Sequence, residues 1–375
     1  MDLYINRDEL SRGLARVQSI IERRSTQPVL SHVLLEATAD GVQMTATDTE
    51  VAYIGHLAAK VEVSGSVAVD AAQLFQVVRS LPEPTLRLQL LPSNQLEIIS
   101  GRAWFRVPGL PAEDYPTLPP FASRSSIRVV DAELRRLVDQ VHFAVATDDT
   151  RYGLNGAYLE AREGAEGWSL RMVATDGHRL CAADAKVEGE PVITPQMLVP
   201  RKALQVMRKL LSGSGDQVVL DFGEGAIRIV HEDQTFWFRM LDGVFPDYHV
   251  VVPKAGGYLV RVRKDEFSST LKRVSILVQD RVRPVRFAFE DGELEIGIDS
   301  RDKGEVRERI AVDYSGTPMK VGFNVRYLQE VVSVLSEEYL QFELSTPLAP
   351  CMLRAAGDQG GDDRAFFVVM PMRLD

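Results

Sequence analysis

Apolar residues along this chain recur at two periods that take turns. Leu10, Leu14, Val17 and Ile21 stand three or four residues apart, which gathers them on one face and predicts a helix over residues 7–21. The same kind of spacing predicts helices over 71–81, 131–141, 201–211, 264–278 and 325–335. Strand-like runs fill the intervals. Residues 33–37 and 42–46 flank Asp40-Gly41, and 285–289 and 294–298 flank Asp291-Gly292, each the pattern of a tight hairpin. Residues 157–160 and 170–174 predict another hairpin with a looser turn, and 86–91 and 218–222 read as closing strands.

The order helix, strands, helix, strands is written three times. Glu9-Leu10 with Leu14 and Val17 returns as Glu133-Leu134 with Leu137 and Val141, then as Glu266-Phe267 with Leu271 and Val274, at offsets of 124 and 133. A second landmark, Val69 and Leu74 with Val77-Val78, returns as Val199 and Leu204 with Met207, then as Phe323 and Leu328 with Val331-Val332, at offsets of 130 and 124. Trp104-Phe105 returns as Trp237-Phe238 and Phe366-Phe367, and Ala46-Thr47-Asp48 as Ala174-Thr175-Asp176. A shared period of about 128 residues is too long for a solenoid repeat and matches a whole domain. The chain therefore reads as three copies of one α+β domain, over residues 1–125, 126–255 and 256–375. Linkers are expected near 122–126 and 254–257, and a glycine- and acid-rich loop over 357–363. The first two copies close on matching exits, Asp114-Tyr115-Pro116 and Pro246-Asp247-Tyr248.

Composition narrows the class. Hydrophobic content of 45% and charged content of 26% are those of a globular protein with ample core. No run approaches the roughly 18 apolar residues of a membrane span. Met1-Asp2-Leu3-Tyr4 does not begin a basic-then-apolar secretory signal, so a cytoplasmic location is expected. Cys181 and Cys351 are expected to be buried free thiols, which suits a reducing compartment.

A net charge of −10 argues on its face against nucleic acid. The charge is unevenly divided, however. Residues 201–211 carry Arg201, Lys202, Arg208 and Lys209 without an acid, and 71–81 carry only Arg79. Charged helix surfaces are ordinary; the sharper reading is a basic lining on an acidic body.

Five further motifs carry a resemblance: Ala174-Thr175-Asp176-Gly177-His178-Arg179-Leu180, Val199-Pro200-Arg201-Lys202, Phe245-Pro246-Asp247-Tyr248, Gly322-Phe323-Asn324-Val325 and the ending Phe366-Phe367-Val368-Val369-Met370-Pro371-Met372-Arg373-Leu374. In order and spacing, over the whole chain, they resemble the bacterial DNA polymerase III β subunits, the replicative sliding clamps. The resemblance implies three tandem clamp domains, each with two helices and two four-stranded antiparallel sheets. It implies that two chains join head to tail into a six-domain ring with helices lining the hole. Such a ring encircles duplex DNA without regard to sequence. It tethers the polymerase α subunit, the clamp loader and other proteins bearing short clamp motifs, at replication forks on the nucleoid.

Size agrees with two chains. A domain of this length has a radius of gyration of ~14 Å, hence a sphere radius of ~18 Å. Three touching spheres in a ring leave a hole of ~3 Å radius and six leave ~18 Å, against roughly 10 Å for duplex DNA.

A clamp holds DNA through phosphate contacts that neutralise charge without reading bases. The DNA-contact candidates are Arg24, Arg79, Arg201, Lys202, Arg208 and Lys209, with Tyr152 packing on DNA; Arg24 and Tyr152 match contact positions of the family. Gly153 stands where some relatives have a second aromatic, and Ala72-Gln73 replaces a basic residue.

The resemblance also implies one peptide pocket per chain, between the second and third domains. Its first part takes in Leu154, Thr175, Gly177, His178, Arg179, Leu180, Pro246, Val251, Val368, Met370, Pro371 and Met372. A shallower groove takes in Arg151, Asn324, Tyr327, Leu348 and Pro350. No cofactor or metal is expected.

Two other classes compete. An enzyme could use Thr175, Asp176 and His178, but there is no nucleophile elbow and no glycine-rich phosphate loop before a helix. The two cysteines lack metal-ligand spacing, and the matching Ala46-Thr47-Asp48-Thr49-Glu50 has no histidine. No catalytic activity is expected. The other alternative is a repeat scaffold for protein partners that does not encircle DNA.

Overall fold

The computed structural model describes residues 1–21, 27–147, 152–192, 197–254, 256–278, 284–300, 304–357, 360–361 and 364–374. Among them run six α-helices: α1 (Arg7–Val17), α2 (Ala71–Ser80), α3 (Asp131–Val141), α4 (Arg201–Leu210), α5 (Lys264–Ser275) and α6 (Val325–Ser333). All sheet pairing is antiparallel. No described helix is long and apolar enough to cross a membrane.

The strands fall into six blocks of four, two per copy, as expected from the resemblance. The first copy contributes Val51–Leu57, Gly41–Thr47, His32–Thr38 and Gly65–Asp70, then Ala103–Leu110, Gln95–Ser100, Thr85–Leu90 and Asp2–Asn6. An extra strand, Ala59–Val63, covers the outer edge of Asp2–Asn6. Blocks of successive copies join through their edges. Gln234–Arg239 of the second copy pairs with Val51–Leu57 of the first, which makes a thirteen-stranded sheet. Ala365–Val369 of the third pairs with Arg179–Lys186 of the second, which makes a nine-stranded sheet. The last block, Gly304–Ala311, Glu293–Ser300, Val285–Glu290 and Met319–Phe323, stays a separate four-stranded sheet.

Two compact units result, one holding the thirteen-stranded sheet and the other the remaining two. Their boundary runs through the middle copy, because each of its blocks continues a neighbour's sheet.

Helix starts follow from caps. Asn6 accepts from the N–H groups of Asp8 and Glu9 at the head of α1, Asp70 from Gln73 in α2, and Asn324 from Arg326 in α6. Apolar periodicity overshoots the helix ends. The helices expected to reach 21, 81, 278 and 335 stop at Val17, Ser80, Ser275 and Ser333. Near each end a serine hydroxyl donates to the carbonyl three residues back: Ser19 to Arg16, Ser80 to Val77, Ser275 to Lys272 and Ser333 to Glu330. These side chains satisfy carbonyls that another helical turn would otherwise bind. Pro82 also forces Leu81 into an extended conformation. The apolar residues beyond the end, such as Ile20 and Ile21, are still buried, from the following turn.

The two helices of each copy are tied by the same device. A basic side chain on the first donates to the leucine carbonyl just past the second: Arg7 to Leu81 at 2.9 Å, Arg135 to Leu211 at 2.7 Å and Lys264 to Leu335 at 3.3 Å. A cation at a helix C-terminus also meets the negative end of the helix dipole.

Two expectations are corrected. Residues 122–126 are not a linker, since Ser123–Val130 is a strand paired with Gln217–Gly223. Its first half is polar because it runs along an edge, which hides it from an apolar pattern. The turn in the second copy's hairpin is tight, joining Gly156–Gly164 to Gly167–Thr175. The 254–257 segment lies outside helices and strands in its described residues. Of the loop at 357–363, Gly360–Gly361 pairs with Cys351–Gly357, and 358, 359, 362 and 363 fall outside the described residues.

Tyr115 closes the first copy. Its hydroxyl donates to the His32 carbonyl at 3.2 Å and accepts from the Thr47 N–H at 3.1 Å. Burial pushes its pKa up from 10.0 to about 12. The phenol holds its proton more tightly folded than unfolded, so this contribution is complete below pH 10.0 and is lost as pH rises through about 12. Replacing Tyr115 with Phe is expected to cost about 1–2 kcal/mol in denaturant unfolding at neutral pH. It should also make the alkaline loss of stability shallower than in the wild type.

Candidate functional site

A single turn organises one wall of a cavity. Gly167–Thr175 and Arg179–Lys186 form a hairpin whose turn is Asp176-Gly177-His178. The Thr175 hydroxyl donates to the Arg179 carbonyl at 2.6 Å. Asp176 accepts from the N–H groups of His178 and Arg179 at 2.9 and 3.1 Å. Gly177 has a φ of +86°, which glycine adopts without strain. The first copy repeats this turn: Thr47 donates to Val51, and Asp48 accepts from Glu50 and Val51. There the matching left-handed residue is Thr49, at φ +77°. The shared Thr-Asp pair is therefore turn chemistry, and the His178 side chain is exposed.

The far edge of this hairpin carries the chain's last strand, with Arg179 opposite Val369 and Leu180 opposite Val368. Just past it, the Met370 N–H donates to the His178 carbonyl at 2.9 Å. The tail continues to Met372, whose N–H donates to Gly322 at 2.8 Å. The opposite wall comes from a short 3₁₀ turn, Tyr152–Leu154, and from Pro246, Asp247, Tyr248 and Val251. Tyr248 is fixed by donating to Glu160 at 2.7 Å, and burial pushes its pKa up to about 12.

Between the walls lies a cavity of about 160 Å³ with a mainly apolar lining. It gathers Leu154, Thr175, Gly177, Arg179, Leu180, Pro246, Val251, Val368 and Met370 from the expected set. Asp247 and Tyr248 also line it. The sequence signal for those two was the Phe245-Pro246-Asp247-Tyr248 motif itself. His178, Pro371 and Met372 are not lining residues: His178 supplies a backbone carbonyl, and the tail has by then turned onto Gly322.

Arg179 is the cavity's cation, and its side chain is only 8% exposed. Its guanidinium donates to Asp176 at 3.1 Å, to Glu330 and to the Phe143 carbonyl. The Tyr327 and Phe143 rings flank it, with centroids 4.4 and 5.2 Å from the guanidinium carbon. Burial opposes its charge, but Glu330 and Asp176 outweigh burial and hold its pKa above the usual arginine value. The cavity therefore offers apolar surface beside a cation that is already matched.

The residues expected in a second groove are not part of this lining. Asn324 caps α6, Tyr327 packs on Arg179, Leu348 is 66% exposed and Pro350 is half-buried. Arg151 lies outside the described residues. The thiols of Cys181 and Cys351 are free and fully buried, and burial pushes both pKa values up.

A second feature is the outer stripe of α4. Arg201, Gln205, Arg208 and Lys209 are exposed at helical spacing, while Ala203, Leu204, Val206 and Met207 face the core. Lys202 differs from expectation. It forms an ion pair with the buried carboxylate of Asp48, which already neutralises its charge. Arg79 is exposed at the end of α2, with its guanidinium 5.3 Å from the Phe75 ring centre. It borders an open groove between α1 and α2 with Ala15, Gln18, Ala72, Phe75 and Gln76, which is otherwise uncharged. Arg24 and the side chain of Tyr152 lie outside the described residues.

Comparison with known proteins places these features. The N-terminal, central and C-terminal domain profiles of the DNA polymerase III beta subunit match residues 1–119, 128–247 and 249–373. The chain is 34% identical to the beta sliding clamp of Caulobacter vibrioides and 31% identical to that of Escherichia coli, with 100% of both chains covered in each case. A DnaN sliding clamp from Bartonella birtlesii, solved bound to griselimycin, superposes with a TM-score of 0.93 at 32% identity over 100% of both chains. The DNA polymerase III beta subunit of Pseudomonas aeruginosa superposes with a TM-score of 0.90 at 33% identity over 100% of both chains. With three tandem clamp domains matched from end to end, the chain belongs to the DNA polymerase III beta subunit family, the bacterial beta sliding clamps.

Proposed function

We propose that two copies of this chain close head to tail into a ring that encircles duplex DNA and tethers the replicative polymerase. The observation that carries this reading is a pair of leftover edges. Successive copies within the chain join by pairing the outer strand of one hairpin with the aromatic strand of the next copy. The third such hairpin ends in Gly304–Ala311, which pairs only with Glu293–Ser300 among the described residues. The remaining aromatic strand is Ala103–Leu110, whose residues 103–108 pair only with Gln95–Ser100 among the described residues. Trp104 and Phe105 on it are 53% and 37% exposed, whereas Trp237, Phe238, Phe366 and Phe367 are 8%, 2%, 8% and 0% exposed. An exposed aromatic edge of this kind calls for a partner. A second copy supplies the matching edge, and the exchange is mutual in a closed dimer.

Arg201, Arg208, Lys209 and Arg79 suit contact with phosphates, because point charges on helices attract the backbone without reading bases. Lys202 serves mainly to hold Asp48. The apolar cavity suits a short segment of a partner with apolar anchor residues, which is how polymerase, clamp loader and other clamp-motif proteins would dock. The protein acts as a processivity factor in the cytoplasm, at the nucleoid, and its partners do the chemistry.

Retention on DNA tests the ring. Clamp loaded on a nicked circular plasmid should stay bound through gel filtration and be lost when the plasmid is linearised, because a ring slides off ends. Equal retention on both forms would favour an ordinary DNA binder, and none on either a scaffold. In the same assay, converting Arg201, Arg208 and Lys209 together to Glu should sharply reduce loading.

Removing residues 370–374 tests the cavity separately. It should abolish binding of a fluorescent clamp-motif peptide while the dimer mass persists in light scattering. Unchanged peptide affinity would place the docking site elsewhere.

A further inference from the structure

Two segments that line the same wall of the apolar cavity meet at Gly153, and we propose that this contact sets the spacing of Leu154 and Pro246 and so the size of apolar side chain the cavity accepts. The inference rests on the peptide-docking reading above. Gly153 immediately precedes Leu154, and Val244 lies two residues before Pro246, both of which line the cavity. A Cβ placed on Gly153 would stand 2.5 Å from the Val244 carbonyl oxygen. That obstacle is backbone and cannot rotate aside. Gly153 is not in the left-handed region, so its own conformation would accept alanine and only the contact would not. Gly243 packs into the same junction: a Cβ there would meet Leu198 at 3.3 Å and the Gly153 Cα at 3.6 Å.

The two sides of the contact are not equally firm. On the Leu154 side, the Leu154 carbonyl accepts from Ala146 at 3.0 Å and the Asn155 carbonyl from Arg201 at 3.2 Å. On the other side, Val244 is 70% exposed and the anchor is the next residue, Phe245, which is 9% exposed and stacks on Tyr158 with ring centroids 5.4 Å apart. A side chain at position 153 therefore pushes Val244 outward against that anchor and moves Pro246 away from Leu154. The cavity widens although no lining side chain has changed. An anchor that fills about 160 Å³ then loses contact along one wall, while a bulkier anchor gains room. A gap of 0.5–1 Å forfeits roughly a quarter to a half of each contact's attraction. Gly153 is thus a positioning residue for specificity.

The test uses the full-length dimer and a fluorescein-labelled pentapeptide with two adjacent leucines, plus analogues in which the second leucine is Phe or Trp. Anisotropy titrations are run on the wild type, Gly153→Ala and Gly153→Val, with melting temperatures measured in parallel. The expected result is about a tenfold loss of affinity for the leucine peptide in Gly153→Ala. The preference should shift toward the Phe and Trp peptides, and further in Gly153→Val. An unchanged preference overturns the inference, whether affinities hold or all fall together with the melting temperature. A wild type that binds none of the three peptides removes the docking reading and this inference with it.

Discussion

Unpaired strand edges govern this molecule. A row of backbone N–H and C=O groups at the side of a sheet must find partners or remain in water, and an apolar edge in water invites association. The chain resolves this internally twice, with Gln234–Arg239 laid on Val51–Leu57 and Ala365–Val369 laid on Arg179–Lys186. Both junctions bury the aromatic pair of the incoming strand. The third aromatic pair, Trp104 and Phe105, is left exposed on the first copy. The same physical rule that fuses the copies into long sheets leaves the outer side of Gly304–Ala311 and the aromatic half of Ala103–Leu110 without the matching partner among the described residues. It also explains why the compact units divide the middle copy instead of separating three domains.

The pocket arises where one copy departs from its sisters at a shared turn. Thr47-Asp48 and Thr175-Asp176 make the same hydrogen bonds, and Val51 and Arg179 occupy the same place in them. Valine there is simply buried. Arginine there reaches Glu330, the Phe143 carbonyl and the face of Tyr327, which fixes the cavity beside it. A buried guanidinium is tolerated because its donors and its charge are both matched. Leu180, Val368 and Met370 are then brought alongside by strand register, one edge after another.

Charge shows why an average misleads. The chain carries −10 overall, yet α4 presents Arg201, Arg208 and Lys209 with no acid on its stripe. Not every cation in such a run faces solvent. Lys202 lies at the margin of that stripe and turns to the carboxylate of Asp48, which is too deeply buried to be left unpaired.

By itself the sequence determined the repeat, the two helices of each copy, the hairpins and most of the pocket residues. These rest on local spacing and on motifs that recur or match a family, and both are written in the linear order of residues. Helix ends at Val17, Ser275 and Ser333 were not legible, since serine hydroxyls and turns end a helix while the apolar pattern runs on. Nor was the strand Ser123–Val130, whose polar half is held by its partner's backbone. Only tertiary structure decided that Lys202 answers Asp48, that Glu160 holds Tyr248, and that Gly153 lies against Val244. Each depends on residues far apart in sequence, or on backbone approaches of a few ångströms, and residue order does not encode such distances.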